Sequence, residues 1–202
     1  GSVLPNITGT YLLDCDGGGT VTASGASVSN VQTVDGHTTA DVIISSNEVD
    51  LDINFSTAVS NVTLLRPGYA RGTTQLTTDE FQDFISPFSC IRFMNLQNTN
   101  WADGAEASVR MSYLAGSERQ WSERPSASGS WNRDWGISVE AIVQICNECS
   151  KDGWFCFSHI DSTDFVQNCL AYIDENLNAD LHMYIEWSNE TWNYAYGFYQ
   201  SG

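Results

Sequence analysis

Residues 181–193 read LHMYIEWSNETWN, and this stretch decides the fold. Its first part, MYIEW at residues 183–187, is apolar or strand-favouring and has no helical period, which predicts a buried strand of a parallel sheet. The polar residues 188–190 follow this strand directly. In an α/β barrel, the loops at the carboxyl ends of the strands build the active site. We therefore expect the strand to deliver polar side chains to such an edge.

Glu190 is the acidic residue at this strand end, and two interpretations of it remain open. Trp187, Trp192 and Tyr194 lie close to it in the sequence. Apolar surroundings raise the pKa of a carboxyl group, as a general acid requires. Alternatively, Glu190 lies at the start of a following helix and only caps that helix.

Length and charge limit the class of protein. The 202 residues can form one medium domain or two small ones, each with a core. The formal net charge is −17, from 8 basic and 25 acidic residues, which excludes nucleic acid as a partner. We expect no membrane span, because no apolar run is long enough, and a signal peptide that is removed or was never included.

Six cysteines and four Asn-x-Ser/Thr sequons predict an oxidising, secretory history, and hence a secreted, extracellular protein. We expect glycans at Asn54, at Asn61 or at both, with Asn6 as a further site. The fourth sequon begins at Asn189, which we expect to stay bare if its side chain points into a cleft.

The cysteines are Cys15, Cys90, Cys146, Cys149, Cys156 and Cys169. We expect disulfides rather than zinc, because the Cys146-x-x-Cys149 motif has neither a second such motif nor a histidine at the required spacing. A thioredoxin-type pair is disfavoured, since the motif lies near the end of a helical pattern. We expect pairing among the last four cysteines, which by elimination leaves the first two to link the two parts of the chain.

Residues 1–66 predict a small β-sandwich, because short alternating runs rich in Thr, Ser and Val are separated by turn residues. The glycines at 17–19 predict a hairpin turn, since no Gly-Lys-Ser/Thr follows them as a phosphate loop would require. Asp14 and Asp16 lack the remaining positions of a calcium loop. We expect neither a metal nor a cofactor.

Residues 67–202 form the second predicted domain. Helical patterns at 78–85, 137–151 and 163–177 alternate with short apolar strands, which predicts βα units and a parallel sheet. The apolar run at 62–65 closes the sandwich or opens the parallel sheet, and the sequence leaves this choice open. The predicted fold is therefore α/β, a β-sandwich followed by βα units with a parallel sheet.

Arg92 lies in the middle of the apolar strand pattern at 89–95. An unpaired charge in a buried strand is very costly, so we expect Arg92 to have a carboxylate partner or to line a polar cavity. Alternatively, the strand lies at an edge and Arg92 faces solvent.

The loop-like segment 102–136 contains Trp121, Trp131 and Trp135. These tryptophans form either the walls of a sugar cleft or a hydrophobic plug that holds the loop together.

Ser158, His159 and Asp161 follow a short apolar strand and supply the residue types of a hydrolase triad. Residues so close in sequence seldom reach the geometry that a triad requires, and no nucleophile-elbow glycines surround the serine. A serine hydrolase is therefore disfavoured.

The C-terminal part of the chain resembles the clan-A glycoside hydrolases, which are retaining enzymes built on a TIM barrel. Those enzymes end their fourth strand in Asn-Glu and carry an Arg on the second strand, and Asn189-Glu190 and Arg92 match in type and order. The segments 91–94, 154–159 and 186–193 are similar to secreted, cellulase-like proteins that have a β-rich domain before the barrel.

The resemblance implies that Glu190 is the acid/base and that Asn189 hydrogen-bonds the sugar 2-hydroxyl. The further substrate-binding residues it implies are Arg92, Trp101, His159, Trp187 and Trp192. A retaining enzyme also needs a second carboxylate about 5 Å from the first. In this clan it comes from the seventh strand. The resemblance therefore implies that residues 67–202 form only the first four βα units of a TIM-barrel-like domain, completed by a continuation of the chain, a partner or self-assembly.

Two classes of function follow. The first is a secreted retaining glycoside hydrolase that acts on a polysaccharide or oligosaccharide. The second is a non-catalytic carbohydrate-binding or structural extracellular glycoprotein that assembles with other chains.

Overall fold

The structure is a computed structural model that describes residues 6–48, 50–99, 118–127 and 136–189. It is a mixed α/β protein with several sheets and few helices among these residues. The chain divides into two compact units, Gly1–Thr74 and Gln75–Gly202.

The first unit is built from antiparallel strands. Its strands are β1 (Gly9–Gly17), β2 (Val21–Ser24), β3 (Ser27–Val34), β4 (His37–Ile44), β5 (Asp52–Phe55) and β6 (Val59–Leu65). Four of them form a sheet in the order β3-β4-β1-β6, and β2 pairs with β5 in a second sheet. Alternation along β1 and β4 buries one face, so that Leu13, Ala40 and Val42 lie in a core that also contains Val21 from the other sheet.

Two turns in this unit depend on glycine. Asp35 and Gly36 both have positive φ, 50° and 79°, and connect β3 to β4 as the Asp-Gly pair predicts. Gly17 has a φ of 106°, and a Cβ there would lie 2.5 Å from the Ala58 carbonyl oxygen. The predicted hairpin at the triple glycine is wrong, since β1 and β2 belong to different sheets and Gly17–Gly19 carry the chain between them.

The second unit contains a parallel sheet. Its strands are β7 (Cys90–Arg92), β8 (Asp152–Phe157) and β9 (Met183–Trp187), in the order β7-β8-β9. The helices among the described residues are α1 (Asp79–Ile85), α2 (Val139–Cys149) and α3 (Thr163–Asn176), with a short 3₁₀ helix at Trp121–Glu123.

The run at 62–65 belongs to β6, which pairs antiparallel with β1 in the first unit. The alternative that it opens the parallel sheet is therefore wrong. The described part of the parallel sheet has three strands, where the sequence led us to expect four.

Side-chain caps fix the helix starts, which agree with the sequence for α1 and α3 and lie two residues after the predicted start at 137 for α2. The hydroxyls of Thr78, Ser138 and Ser162 accept hydrogen bonds from the third residue of α1, α2 and α3 respectively. The end of α2 differs from expectation, because Ser150 ends the helix with a φ of 51° and Asp152 already belongs to β8.

The two faces of the parallel sheet have different environments. One face packs against α2 and α3, so that Phe155 and Phe157 are buried beside Ile142 and Ile173. Each such side chain contributes about 1.5–3 kcal/mol on burial. The opposite face is formed by the residues of β8 and β9 that alternate with the buried ones, and its aromatic side chains are exposed. They are Trp154, which is 39% exposed, and Tyr184, which is 50% exposed.

Candidate functional site

Arg92 and Glu186 form a bidentate ion pair on the exposed face of the parallel sheet. Arg92 Nε lies 3.0 Å from Glu186 Oε2, and Nη2 lies 2.7 Å from the same oxygen and 2.9 Å from Oε1. Arg92 is the last residue of β7 and Glu186 is near the end of β9, so parallel strand directions bring both to the same end of the sheet. The predicted carboxylate partner of Arg92 is therefore confirmed.

Asn189 joins this pair from the segment that follows β9. Its Oδ1 accepts a hydrogen bond from Arg92 Nη2 at 3.0 Å, and the residue is only 8% exposed. The preceding Ser188 is buried with a φ of 59°, and its backbone N–H donates to Phe157. This turn directs Asn189 back over the strand ends. We refer to Arg92, Glu186 and Asn189 as the Arg92 cluster.

Trp154 of β8 supports the guanidinium from the same face. The Arg92 carbon Cζ lies 5.2 Å from the centre of the Trp154 ring, within cation–π range. Hydrogen bonding to Glu186 raises the pKa of Arg92 above its ordinary value. The side chains of Arg92 and Glu186 are 36% and 26% exposed, so the ion pair contributes little to stability, about 1 kcal/mol or less, and its main effect is to fix geometry.

Cys156 lies behind Glu186 with its sulfur 3.3 Å from Oε2. Burial, reinforced by the neighbouring carboxylate, raises the pKa of this thiol to about 12. Cys156 is therefore a neutral hydrogen-bond donor to Glu186 at physiological pH, and it is not a nucleophile.

The structure brings some of the predicted site residues together. Arg92 and Asn189 are in contact, and His159 lies in the turn between β8 and α3. Trp187 ends β9 and is 52% exposed, but it alternates with Glu186 and therefore lies on the opposite face of the sheet. Glu190, Trp101 and Trp192 lie outside the described residues.

Sequence reasoning missed Glu186, Trp154 and Cys156 as parts of this site. Glu186 had a recognisable signal, because a lone acid in one apolar strand and a lone Arg in another are natural partners in a sheet. The sequence has no such signal for Trp154 and Cys156, because the strand register decides which face of the sheet they occupy.

Asp161 does not take part in a hydrolase triad. Its Oδ1 lies 2.6 Å from Arg119 Nε, and its Oδ2 accepts a hydrogen bond from the backbone N–H of Ser158 at 2.7 Å. Both oxygens are therefore engaged in holding the turn after β8 to the segment around Arg119.

Trp121 supports the plug interpretation of the loop tryptophans. Its ring lies edge-on to Phe165 with centroids 6.0 Å apart, and Arg124 lies over it at 3.9 Å. Trp131 and Trp135 lie outside the described residues.

All six cysteines are free thiols, so the structure contains none of the expected disulfides. Cys146 and Cys169 lie in the core between the sheet and the helices, whereas Cys156 faces Glu186 on the opposite side of the sheet. Pairing Cys156 with either would require its side chain to cross the sheet. Cys146 instead lies near Cys90 and Cys149, whose charges add to the burial that raises its pKa to about 12.

The sequons differ in accessibility. Asn6, Asn54 and Asn61 are exposed, and Asn61 donates to Asp16 Oδ2 at 2.6 Å. Asn189 is buried and bound by Arg92.

Comparison of the chain with protein-family models, curated proteins and solved structures finds no match. None of the helices in the described ranges has the length and hydrophobicity needed to cross a membrane. Within the same ranges, no group of three or more His, Cys, Asp or Glu side chains is arranged to hold a metal ion.

Proposed function

We propose that the protein is a secreted retaining glycoside hydrolase acting on a polysaccharide, with Glu190 as its acid/base. In this proposal the first unit is a small β-sandwich and the parallel sheet is part of a TIM-barrel-like domain. The observation that carries it is the Arg92 cluster, which holds the residue before Glu190 at the carboxyl ends of parallel strands, where barrel enzymes bind substrate.

Asn189 has a specific chemical role in this proposal. Arg92 binds its carbonyl oxygen, which orients the amide and directs the Nδ2 donors elsewhere. An amide held in this way is suited to donate to a sugar 2-hydroxyl, a bond that strengthens as charge develops on the sugar ring. Arg92 therefore acts as a positioning residue for Asn189.

Glu190 would first protonate the glycosidic oxygen and then deprotonate the water that releases the sugar. A retaining reaction also needs a nucleophilic carboxylate about 5 Å away. We assign this carboxylate to further polypeptide, because Glu186 is already held by two guanidinium nitrogens of Arg92.

A second function, carbohydrate binding without catalysis, is favoured by a different observation. Trp154 and Tyr184 are 39% and 50% exposed on the face of β8 and β9 that carries the Arg92 cluster. Exposed aromatic rings next to fixed hydrogen-bonding groups are suited to stack on sugar rings, and this needs no second carboxylate.

Hydrolysis of β-glucan and β-mannan panels by the natural protein tests the proposal. Glu190→Gln should lower the rate on the order of a hundredfold or more, because the proton donor is lost. Glu175→Gln is the matched control, since Glu175 is exposed on α3. Binding without hydrolysis would indicate the second function. The absence of both binding and hydrolysis would contradict both functions.

A further inference from the structure

A pocket lies between the segment around Arg119, the start of α2 and the buried side of α3. Its enclosed volume is about 20 Å³, and it opens into a wider space of about 320 Å³ that includes solvent. The lining includes two arginines among apolar residues: Arg119, Arg124, Ile137, Val139, Ile142 and Phe165. The pocket shares no residue with the Arg92 cluster.

Arg119 is almost completely buried, with 5% of its side chain exposed. Asp161 binds it only through Nε, at 2.6 Å, and the second oxygen of Asp161 is used by Ser158. Among the described residues, no group accepts a hydrogen bond from its Nη1 or Nη2. The end of the guanidinium that carries these two nitrogens is the edge that binds a carboxylate with two parallel hydrogen bonds.

Two aromatic rings fix the orientation of the Arg119 and Arg124 guanidinium groups. Arg119 lies over the ring of Phe165 at 4.2 Å, and Arg124 lies over Trp121 at 3.9 Å. Arg124 is paired with Glu140 Oε1 through Nε and Nη2, at 3.2 and 2.8 Å. Both guanidinium groups are therefore held in place at the pocket before any ligand arrives, which lowers the entropy cost of binding.

We propose that this pocket binds a small organic monocarboxylate, with its carboxylate on the Nη1–Nη2 edge of Arg119 and its apolar body against the aliphatic lining. The Nη1 and Nη2 donors of Arg119 have no acceptor among the described residues and face the open pocket, and a carboxylate matches that edge in geometry and charge.

The charge of the walls favours a monoanion over a dianion. Asp161 and Glu140 offset the charges of Arg119 and Arg124, so the pocket has no net positive charge and each negative charge on a ligand adds to the cost of binding. The first turn of α2, whose dipole favours negative charge, begins at Val139 in the pocket wall. Ile137, Ile142 and Phe165 offer apolar surface and no hydrogen bonds, which favours a hydrocarbon body on the ligand.

Calorimetric titration of the folded protein with sodium butyrate at constant ionic strength tests this site. Butyramide, which has the same shape without the charge, is the control ligand. We expect butyrate to bind with a Kd of about 1 mM or tighter and butyramide to bind at least tenfold more weakly, on the order of the loss of one charged hydrogen bond.

Two arginine variants extend the test. Arg119→Lys keeps the charge beside Asp161 but lacks the two-nitrogen edge, so it should weaken butyrate binding about tenfold or more. Because Arg119 is buried, circular dichroism must show that this variant folds. Arg124→Gln, at a side chain that is 29% exposed, should weaken binding severalfold even if Arg119→Lys does not fold, and Arg66→Gln should not change it.

Three results with the wild-type protein would overturn the proposal. They are no heat and no rise in thermal midpoint with butyrate, equal affinity for butyrate and butyramide, or tighter binding of inorganic phosphate than of butyrate. Unchanged butyrate affinity in both folded arginine variants would also overturn it.

Discussion

Arg92 reaches across the middle strand of the parallel sheet to bind Glu186, which lies two strands away. Neighbouring strands are about 4.8 Å apart, so the Arg92 and Glu186 side chains together span about 10 Å over Trp154 of β8. Among the described residues, this ion pair ties the two outer strands of the sheet directly to each other. It also places the third contact of Arg92, Asn189, above the strand ends.

Arg92→Lys should reduce oligosaccharide binding or hydrolysis about tenfold while changing stability by less than about 1 kcal/mol. The reason is that an ammonium group cannot hold both Glu186 and Asn189 as the guanidinium does. Steady-state or binding assays together with urea denaturation measure the two effects. Arg66→Lys is the control. Full activity of Arg92→Lys would show that the Arg92–Glu186 ion pair does not position Asn189.

Asn54, Asn61 or both should carry glycans when the protein is expressed through a secretory pathway, and Asn189 should carry none. The first two side chains are exposed, whereas Asn189 is buried against Arg92. Glycopeptide mapping measures occupancy at each sequon. A glycan on Asn189 would be incompatible with the site described above.

Much of the local structure follows from the sequence. Thr78 and Ser162 are capping residues at the start of periodic apolar patterns, and α1 and α3 begin where these signals indicate. The predicted start of α2 at 137 is two residues early, because Ser138 caps that helix. These signals are local, so they do not depend on the rest of the fold.

The features that sequence reasoning missed depend on long-range pairing. The run at 62–65 has the same composition in either sheet, and only its register with β1 assigns it to the first unit. The carboxylate that binds Arg92 was predicted, but its identity required the order of β7, β8 and β9. Cysteine counting likewise predicted disulfides, whereas the face of the sheet on which Cys156 lies depends on register.

Stability should fall as the pH rises above about 9, because buried thiols stay protonated in the folded state. Burial raises the pKa of Cys146, Cys156 and Cys169 to about 12, above the ordinary thiol value of 9.0. In the unfolded state each thiol has its ordinary pKa of about 9, so below that pH the thiols are protonated in both states and stability is at its full value. Between about pH 9 and 12 the thiols ionise only in the unfolded state, and the folded state loses stability relative to it.

Cys169→Ala isolates one of these groups. One thiol that ionises only in the unfolded state lowers the free energy of unfolding by about 1.4 kcal/mol per pH unit. Between about pH 9 and 12 the slope of stability against pH should therefore be shallower in Cys169→Ala than in the wild type, by up to that value. Urea denaturation at several pH values measures the slope. Alkylation of the unfolded, unreduced protein is the companion test, because failure of all six cysteines to take label would show the disulfides that the sequence predicts.

Gly153→Ala should destabilise the second unit by about 1–3 kcal/mol through overpacking. A Cβ at this position would lie 2.5 Å from Phe155 Cε2 and 3.0 Å from the sulfur of Cys146. Phe155→Leu removes part of that contact, so the double variant should be more stable than the sum of the two single effects predicts. Additive effects in urea denaturation would show that the two positions do not clash.

Asn189→Asp tests the carbohydrate site most directly. The substitution keeps an oxygen for Arg92 and removes the Nδ2 donors, so folding should be unchanged while the donor to the sugar is lost. Calorimetric titration with β-glucan and β-mannan oligosaccharides should show binding by the wild type and affinity at least tenfold weaker in the variant, as expected for a charge-assisted or buried hydrogen bond. Equal affinity of the two proteins, or no binding of any oligosaccharide by the wild type, would contradict a carbohydrate site at the Arg92 cluster.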